Sequence, residues 1–177
     1  MADVMARAAA VLDEVRAAVT AVDPDAVTAL VTAIGEAPAV YFDARGRSGL
    51  VARALAMRWM HLGLRVHVAG ETVTPAINAG DLLVCLSGSG RTAGPLANAA
   101  LARGRGARVA VLTGAPDSPL AAAADLVVVV PRGGSGQHAG SLFEQTCLVL
   151  GDAMCGTFQQ TEDLPDAALD QRHANLL

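Results

Sequence analysis

From residue 38 onward, short apolar runs alternate with stretches of helical spacing. Leu82-Leu83-Val84-Cys85-Leu86 and the run 127–130 contain no polar position, so a strand built from either is covered on both faces. That alternation predicts right-handed βαβ crossovers and an α/β, doubly wound, five-stranded parallel sheet with helices on both faces. Strands are expected over 38–42, 65–69, 81–86, 108–113 and 126–131, and helices over 48–62, 92–103, 119–124, 141–157 and 165–172. The loop 70–78 has room for one helical turn.

Two further helices precede the first strand. Val4, Ala8, Val11, Leu12, Val15 and Val19 recur at helical spacing across 2–20. Asp23 can cap a second helix that opens on Pro24 and runs to about residue 34. A length of 177 residues suits one domain, 1–177, which buries roughly 70% of its unfolded surface. The helices 2–34 have no evident place on a five-stranded unit. They and a C-terminal tail, 160–177, are expected to pack on neighbouring subunits of a homodimer or homotetramer.

Aromatic residues make up only 3% of the chain, so Ala, Val and Leu must build the core; such side chains suit close helix-on-sheet packing and not the stacking platforms of a nucleic-acid surface. All 13 basic residues are Arg, which excludes a Schiff-base lysine and the lysine of a Walker A loop. Arginine can still grip phosphate through its planar fork. With a net charge of −4 and no basic stripe, no nucleic-acid partner is expected. Cys85, Cys147 and Cys155 have no CxxC spacing, which argues against a disulfide framework or zinc cluster and for a reducing cytoplasm. The start of the chain lacks a signal-peptide h-region, and its longest apolar run is too short for a membrane span.

The chemistry is expected at the carboxyl ends of the strands, where open parallel sheets bind ligands. Ser87-Gly88-Ser89-Gly90-Arg91-Thr92 stands between a buried strand and a helix start. Small residues there let the backbone approach an anion, and the free N–H groups of the first helical turn point at it. Ser87, Ser89 and Thr92 add hydroxyl donors, although the segment also suits an ordinary capped turn. Gly46-Arg47-Ser48-Gly49 repeats the arrangement after the first strand. Ser48 either caps its helix or meets a ligand, and Arg47 is either a surface charge or a clamp for phosphate and hydroxyl. Neither loop matches GxGxxG, which disfavours a dinucleotide.

The pair of loops resembles the sugar isomerase (SIS) domain. Ala56-Met57-Arg58-Trp59-Met60-His61-Leu62-Gly63, Gly70-Glu71-Thr72-Val73-Thr74-Pro75-Ala76-Ile77, Gly140-Ser141-Leu142-Phe143-Glu144-Gln145 and the tail Arg172-His173-Ala174-Asn175-Leu176 sharpen this to a resemblance to the 6-phospho-3-hexuloisomerase family. The resemblance implies an isomerase that interconverts 3-hexulose 6-phosphate and fructose 6-phosphate through an enediol in the ribulose monophosphate pathway. It implies no cofactor, and no metal-ligand spacing links the histidines. Two positions depart from the family pattern: Arg91 replaces a Glu, and Gln137-His138-Ala139 replaces Gln-Pro-Met. A sugar-phosphate-sensing SIS module without catalysis, or another SIS isomerase, remains the alternative.

Moving a ketone from C3 to C2 needs a base and an acid. Glu144 is the expected base, with Leu142, Phe143 and Leu148 expected to desolvate it. His61, at the end of a nearly all-apolar helix, and His173, in the tail, are the candidate acids. Gly46, Arg47, Ser48, Ser87, Gly88, Ser89 and Thr92 are the candidate phosphate and sugar ligands, and Glu71 and Thr74 lie in a segment that could touch the sugar. His67 and His138 read as structural.

Overall fold

The computed structural model describes residues 3–176. Its elements follow the order α1 (Val4–Thr20), α2 (Pro24–Glu36), β1 (Val40–Ala44), α3 (Gly46–His61), β2 (Val66–Val68), β3 (Leu82–Leu86), α4 (Ala93–Gly104), β4 (Arg108–Thr113), α5 (Pro119–Ala122), β5 (Leu126–Val129), α6 (Ser141–Thr161) and α7 (Asp166–Asp170). The five strands lie in the order β2-β1-β3-β4-β5, all parallel. The chain lays β2 on one side of β1 and then crosses to place β3 on the other, so the switch point falls between β1 and β3. These two strands pair in full register from Val40 opposite Leu82 to Ala44 opposite Leu86. Their following loops therefore leave the sheet side by side.

Alternating strand residues feed two cores. Val40, Phe42, Leu82, Val84, Leu86 and Leu112 pack with Leu30 and Ile34 of α2, Leu55 and Trp59 of α3, and Phe143, Cys147 and Leu150 of α6. Tyr41, Leu83, Cys85, Val109 and Val111 face Ala99 and Ala102 of α4 and Leu120 and Ala121 of α5. Removing a Leu, Ile or Phe side chain from water contributes about 1.5–3 kcal/mol each. The Ala-rich face of α4 lets that helix sit close to the sheet, as the composition requires. All three cysteines are free and buried. Burial pushes the Cys85 and Cys147 thiols far up and the Cys155 thiol to about 12.

Several expectations are corrected. The first strand extends through Asp43 and Ala44, because pairing with β3 continues to Leu86; Asp43 is thus fully buried and not part of a loop. The helix after it opens at Gly46, two residues before Ser48, with Arg45 at its cap position. Segment 70–78 forms turns with no helical turn, tied down by Thr74, whose hydroxyl donates to the Val68 carbonyl. The N-terminal helices do have a place on the five-stranded unit: α2 supplies core residues, and Val15 and Ala18 of α1 bury against Leu142 of α6. Glu14 of α1 also accepts from Ser135 Oγ (2.6 Å), the Gly136 N–H (3.0 Å) and Gln137 Nε2 (3.0 Å), pinning the loop before α6. Ala2, the expected start of that helix, lies outside the described residues.

The tail also has contacts within its own chain. Arg172 donates to the His61 carbonyl at 3.3 Å and to the Ala168 carbonyl at 2.6 Å, so the segment after α7 docks on the C-terminal end of its own α3. Leu177, the last residue of the expected tail, lies outside the described residues. Among the described residues no single helix is long and apolar enough to cross a membrane.

Candidate active site

The loop after β3 is held in shape by its own small residues. Ser87 is 4% exposed, and its hydroxyl accepts from the Gly90 N–H at 3.1 Å and lies 3.0 Å from Thr92 Oγ1. Gly90 has φ +60°, and a Cβ there would stand 1.8 Å from Ser118 Oγ, so both conformation and space demand glycine. The Thr92 hydroxyl lies against Ser87 and makes no capping bond, and the first turn of α4 holds no acidic residue. The head of that helix therefore keeps a positive end and free N–H groups. Ser89 is exposed at the loop's tip, accepting from the Arg91 N–H at 3.3 Å.

The loop after β1 lies beside it. Gly46 has φ +61°, and no side chain caps α3, so Ser48 is half-buried in the first turn with its hydroxyl uncommitted to capping. The head of α6 closes the third side. Phe143 is buried with its ring against Gly88, a Cβ on which would lie 3.3 Å from two ring atoms. The next residue, Glu144, meets the β1 loop: Arg47 Nε donates to Glu144 Oε2 at 2.9 Å. The Glu144 side chain is 16% exposed. Its surroundings differ from those expected, since a guanidinium faces the carboxylate and Leu148 points to solvent. Arg47, Glu144 and both loops thus converge on one rim. Beside it, Ala44, Arg45, Gly46, Gly49, Arg53 and Gly70 line a cleft of about 360 Å³. Glu71 sits at its edge, taking a 3.2 Å hydrogen bond from Arg53 Nε.

The two candidate acids are elsewhere. His61 and His173 do meet each other, with ring centroids 4.2 Å apart, but at the far end of α3. Fifteen helical steps separate His61 from Gly46, about 22 Å along the axis. The physical reason is the antiparallel course of a crossover helix, which begins at the carboxyl end of one strand and ends where the next begins. Burial lowers the pKa of His61, and repulsion from His173 and Arg58 lowers it further. His67 lies in β2 with its ring on Tyr41, its pKa also lowered mainly by burial, and His138 is exposed in the loop before α6. Among the described residues no three His, Cys, Asp or Glu side chains gather as a metal site requires.

The sequence profile of the SIS domain matches residues 33–144, more than half of the chain.

The chain belongs to the SIS domain family.

This SIS domain is 47% identical over 174 residues to the 3-hexulose-6-phosphate isomerase of Mycobacterium gastri, covering 94% of this chain and 87% of that one. It is 39% identical over 140 residues to the 3-hexulose-6-phosphate isomerase of Bacillus subtilis (strain 168), covering 74% and 76%. A solved structure from Methanococcus jannaschii, described as inferring a molecular function of 3-hexulose-6-phosphate isomerase, is 30% identical with a TM-score of 0.78, covering 86% of each chain.

Sequence reasoning missed a polar cluster behind the rim of the SIS domain. Asp43 accepts from Asn98 Nδ2 of α4 at 2.7 Å and from Arg45 Nη1, and Arg45 also donates to the Ala44 carbonyl at 2.9 Å. The signal available was an acid and an arginine two residues apart at the end of an otherwise apolar strand.

Proposed function

We propose that this SIS-domain protein is an isomerase that interconverts 3-hexulose 6-phosphate and fructose 6-phosphate through an enediol, the step such enzymes perform in the ribulose monophosphate pathway. The observation that carries the site assignment is the Arg47–Glu144 pair standing beside two glycine- and serine-rich loops at the switch point of the sheet. The phosphate dianion sits on the free N–H groups at the head of α4 with the hydroxyls of Ser89, Thr92 and Ser48 around it. Ser87 and Gly88 shape the loop, Ser87 through its bonds to Gly90 and Thr92 and Gly88 through its contact with Phe143.

Glu144 lifts the C2 proton of the 3-ketose. The C2–H electrons form the C2=C3 double bond, and O3 takes a proton. Collapse of the enediol returns a proton from Glu144 to C3, while O2 gives up its own and becomes the new carbonyl. One carboxylate on one face serves both carbons, and such general acid–base catalysis contributes about 10²–10⁴-fold. Arg47 orients the carboxylate and lies close to the oxygens where charge develops.

The acid is His61 or His173 of a neighbouring copy, since the same chain holds both imidazoles about 22 Å from the rim. The outward faces of α3 and α6 support an assembly: Leu50, Met57, Met60, Leu148 and Val149 are exposed around the Arg58–Asp152 bridge that joins the two helices at 3.2 Å. A homodimer or homotetramer working in the cytoplasm, where free thiols persist, fits these features. Supplying purified protein with 3-hexulose 6-phosphate and following fructose 6-phosphate tests the reaction. Tight binding without turnover replaces the isomerase by a sensor.

A further inference from the structure

We propose that Arg45 is a second anion-binding residue of this site, held at the head of α4 by the buried carboxylate of Asp43 and the amide of Asn98. The inference rests on the reading above that this helix end takes the substrate's phosphate.

The Asp43 side chain is wholly buried at the end of β1. A buried carboxylate is costly unless paired and hydrogen-bonded. Here Asn98 holds one oxygen at 2.7 Å and the Arg45 guanidinium holds the other. The Asp43 carboxylate is closed off from water, whereas 46% of the Arg45 side chain remains exposed and open to a ligand. Its guanidinium lies over Gly94 in the first turn of α4, where a Cβ would come within 2.8–3.0 Å of three guanidinium atoms.

A cation at that position opposes the helix dipole, and the turn itself has neither an acidic residue nor a capping bond, so the Asp43 carboxylate balances the guanidinium from behind and leaves the helix N–H groups free. A dianion that shares the helix N–H groups with the guanidinium makes the arrangement more favourable still. Arg47 reaches the opposite flank, on the α6 side, through Glu144. The left-handed Gly46 between the two arginines sends one towards each helix. Arg45 thus supplies planar donors to the phosphate while Asp43 fixes their direction. Asp43 and Asn98 are positioning residues that act through Arg45.

Arg45→Gln, Arg45→Lys, Asn98→Ala, the Arg45→Gln/Asn98→Ala double variant and Ser89→Ala test this. Asn98→Ala is used because Asp43 lies in the core and its variants risk misfolding. The readouts are calorimetric binding of inorganic phosphate and the KM and kcat for 3-hexulose 6-phosphate. Arg45→Gln is expected to weaken phosphate binding and raise KM together by about tenfold or more, the effect of losing hydrogen bonds to a charged group, with a smaller change in kcat. Arg45→Lys recovers part of the loss through its charge. Asn98→Ala causes a smaller loss, and the double variant resembles Arg45→Gln alone, since residues of one network are not additive. Unchanged phosphate binding in Arg45→Gln while Ser89→Ala weakens it overturns the proposal and leaves the site standing, as does a double variant in which the losses add. Phosphate binding unaffected by both Ser89→Ala and Arg45→Gln removes the phosphate loop itself, and the proposal with it.

Discussion

Arg47 of the first loop and Glu144 of the last long helix meet at 2.9 Å, and that contact draws the head of α6 over the end of β1. Side chains far apart in the sequence thereby come to one rim. The guanidinium is half-exposed, so the pair adds at most about 1 kcal/mol to stability. Its worth lies in holding a carboxylate in one direction. Arg47→Ala is therefore expected to leave the thermal midpoint nearly unchanged and to lower kcat by tenfold or more. A loss of folding stability matching the loss of rate counts against this.

Glu144→Gln keeps the shape of the side chain and removes its basicity. Isomerisation is expected to fall by about 10²–10⁴-fold while calorimetric binding of fructose 6-phosphate persists. Full turnover in this variant discards Glu144 as the base.

Ser89→Ala is expected to weaken substrate and inorganic phosphate together, by roughly tenfold or more for a hydroxyl donated to an anion. An unchanged KM removes the tip of the β3 loop from the site.

Gly90 and Gly104 make a matched pair in and after the same loop. Gly90→Ala forces a side chain into φ +60° and against Ser118, so a loss of about 1–3 kcal/mol in chemical denaturation is expected, with weaker phosphate binding. Gly104 has open space around its Cβ position and no positive φ. Gly104→Ala is expected to be neutral or stabilising by about 0.5–1 kcal/mol. Equal effects at the two positions contradict the loop geometry described.

Stability should depend on pH through His61. Its pKa in the folded chain is lowered by burial and by His173 and Arg58, so the unfolded chain takes up the proton first as pH falls. The contribution is fully present above the ordinary histidine value of about 6.5 and is lost as pH drops through and below it. His67 acts in the same direction. Melting curves from pH 8 to pH 5 should show the decline, and His61→Gln should flatten part of it. A variant with the wild-type slope refutes the assignment.

Much of the architecture was legible because the strands announce themselves. The uninterrupted apolar runs of β3 and β5, set between helical stretches, leave little besides a covered parallel sheet. Two loops with free hydroxyls and glycines at strand ends then located the rim. Partners brought together only by tertiary packing were not legible. Nothing local marks Arg47 as the neighbour of Glu144, or Asp43 as the acid beneath Arg45, since the first needs the course of α6 and the second the exact end of β1. The histidines fall between these cases. His61 and His173 do form a pair, named from sequence as candidate acids, but nothing local showed that the direction of α3 would set that pair at the far end of the helix from their own chain's rim. The tail was expected on a neighbour because a distinctive motif at a terminus suggests a docking role; the bond from Arg172 to the His61 carbonyl, which ties the start of the tail to α3, had no local signal.

The buried thiols and the absence of lysine have a chemical consequence together. An open-chain ketose carbonyl condenses with amines and adds thiolates, reactions that slowly scar proteins handling such sugars. This chain presents no side-chain amine, and its three cysteines stay protonated behind packed helices. Its substrate therefore finds acids, hydroxyls and guanidinium groups to exchange protons with, and no amine or thiolate on the side chains to bond to.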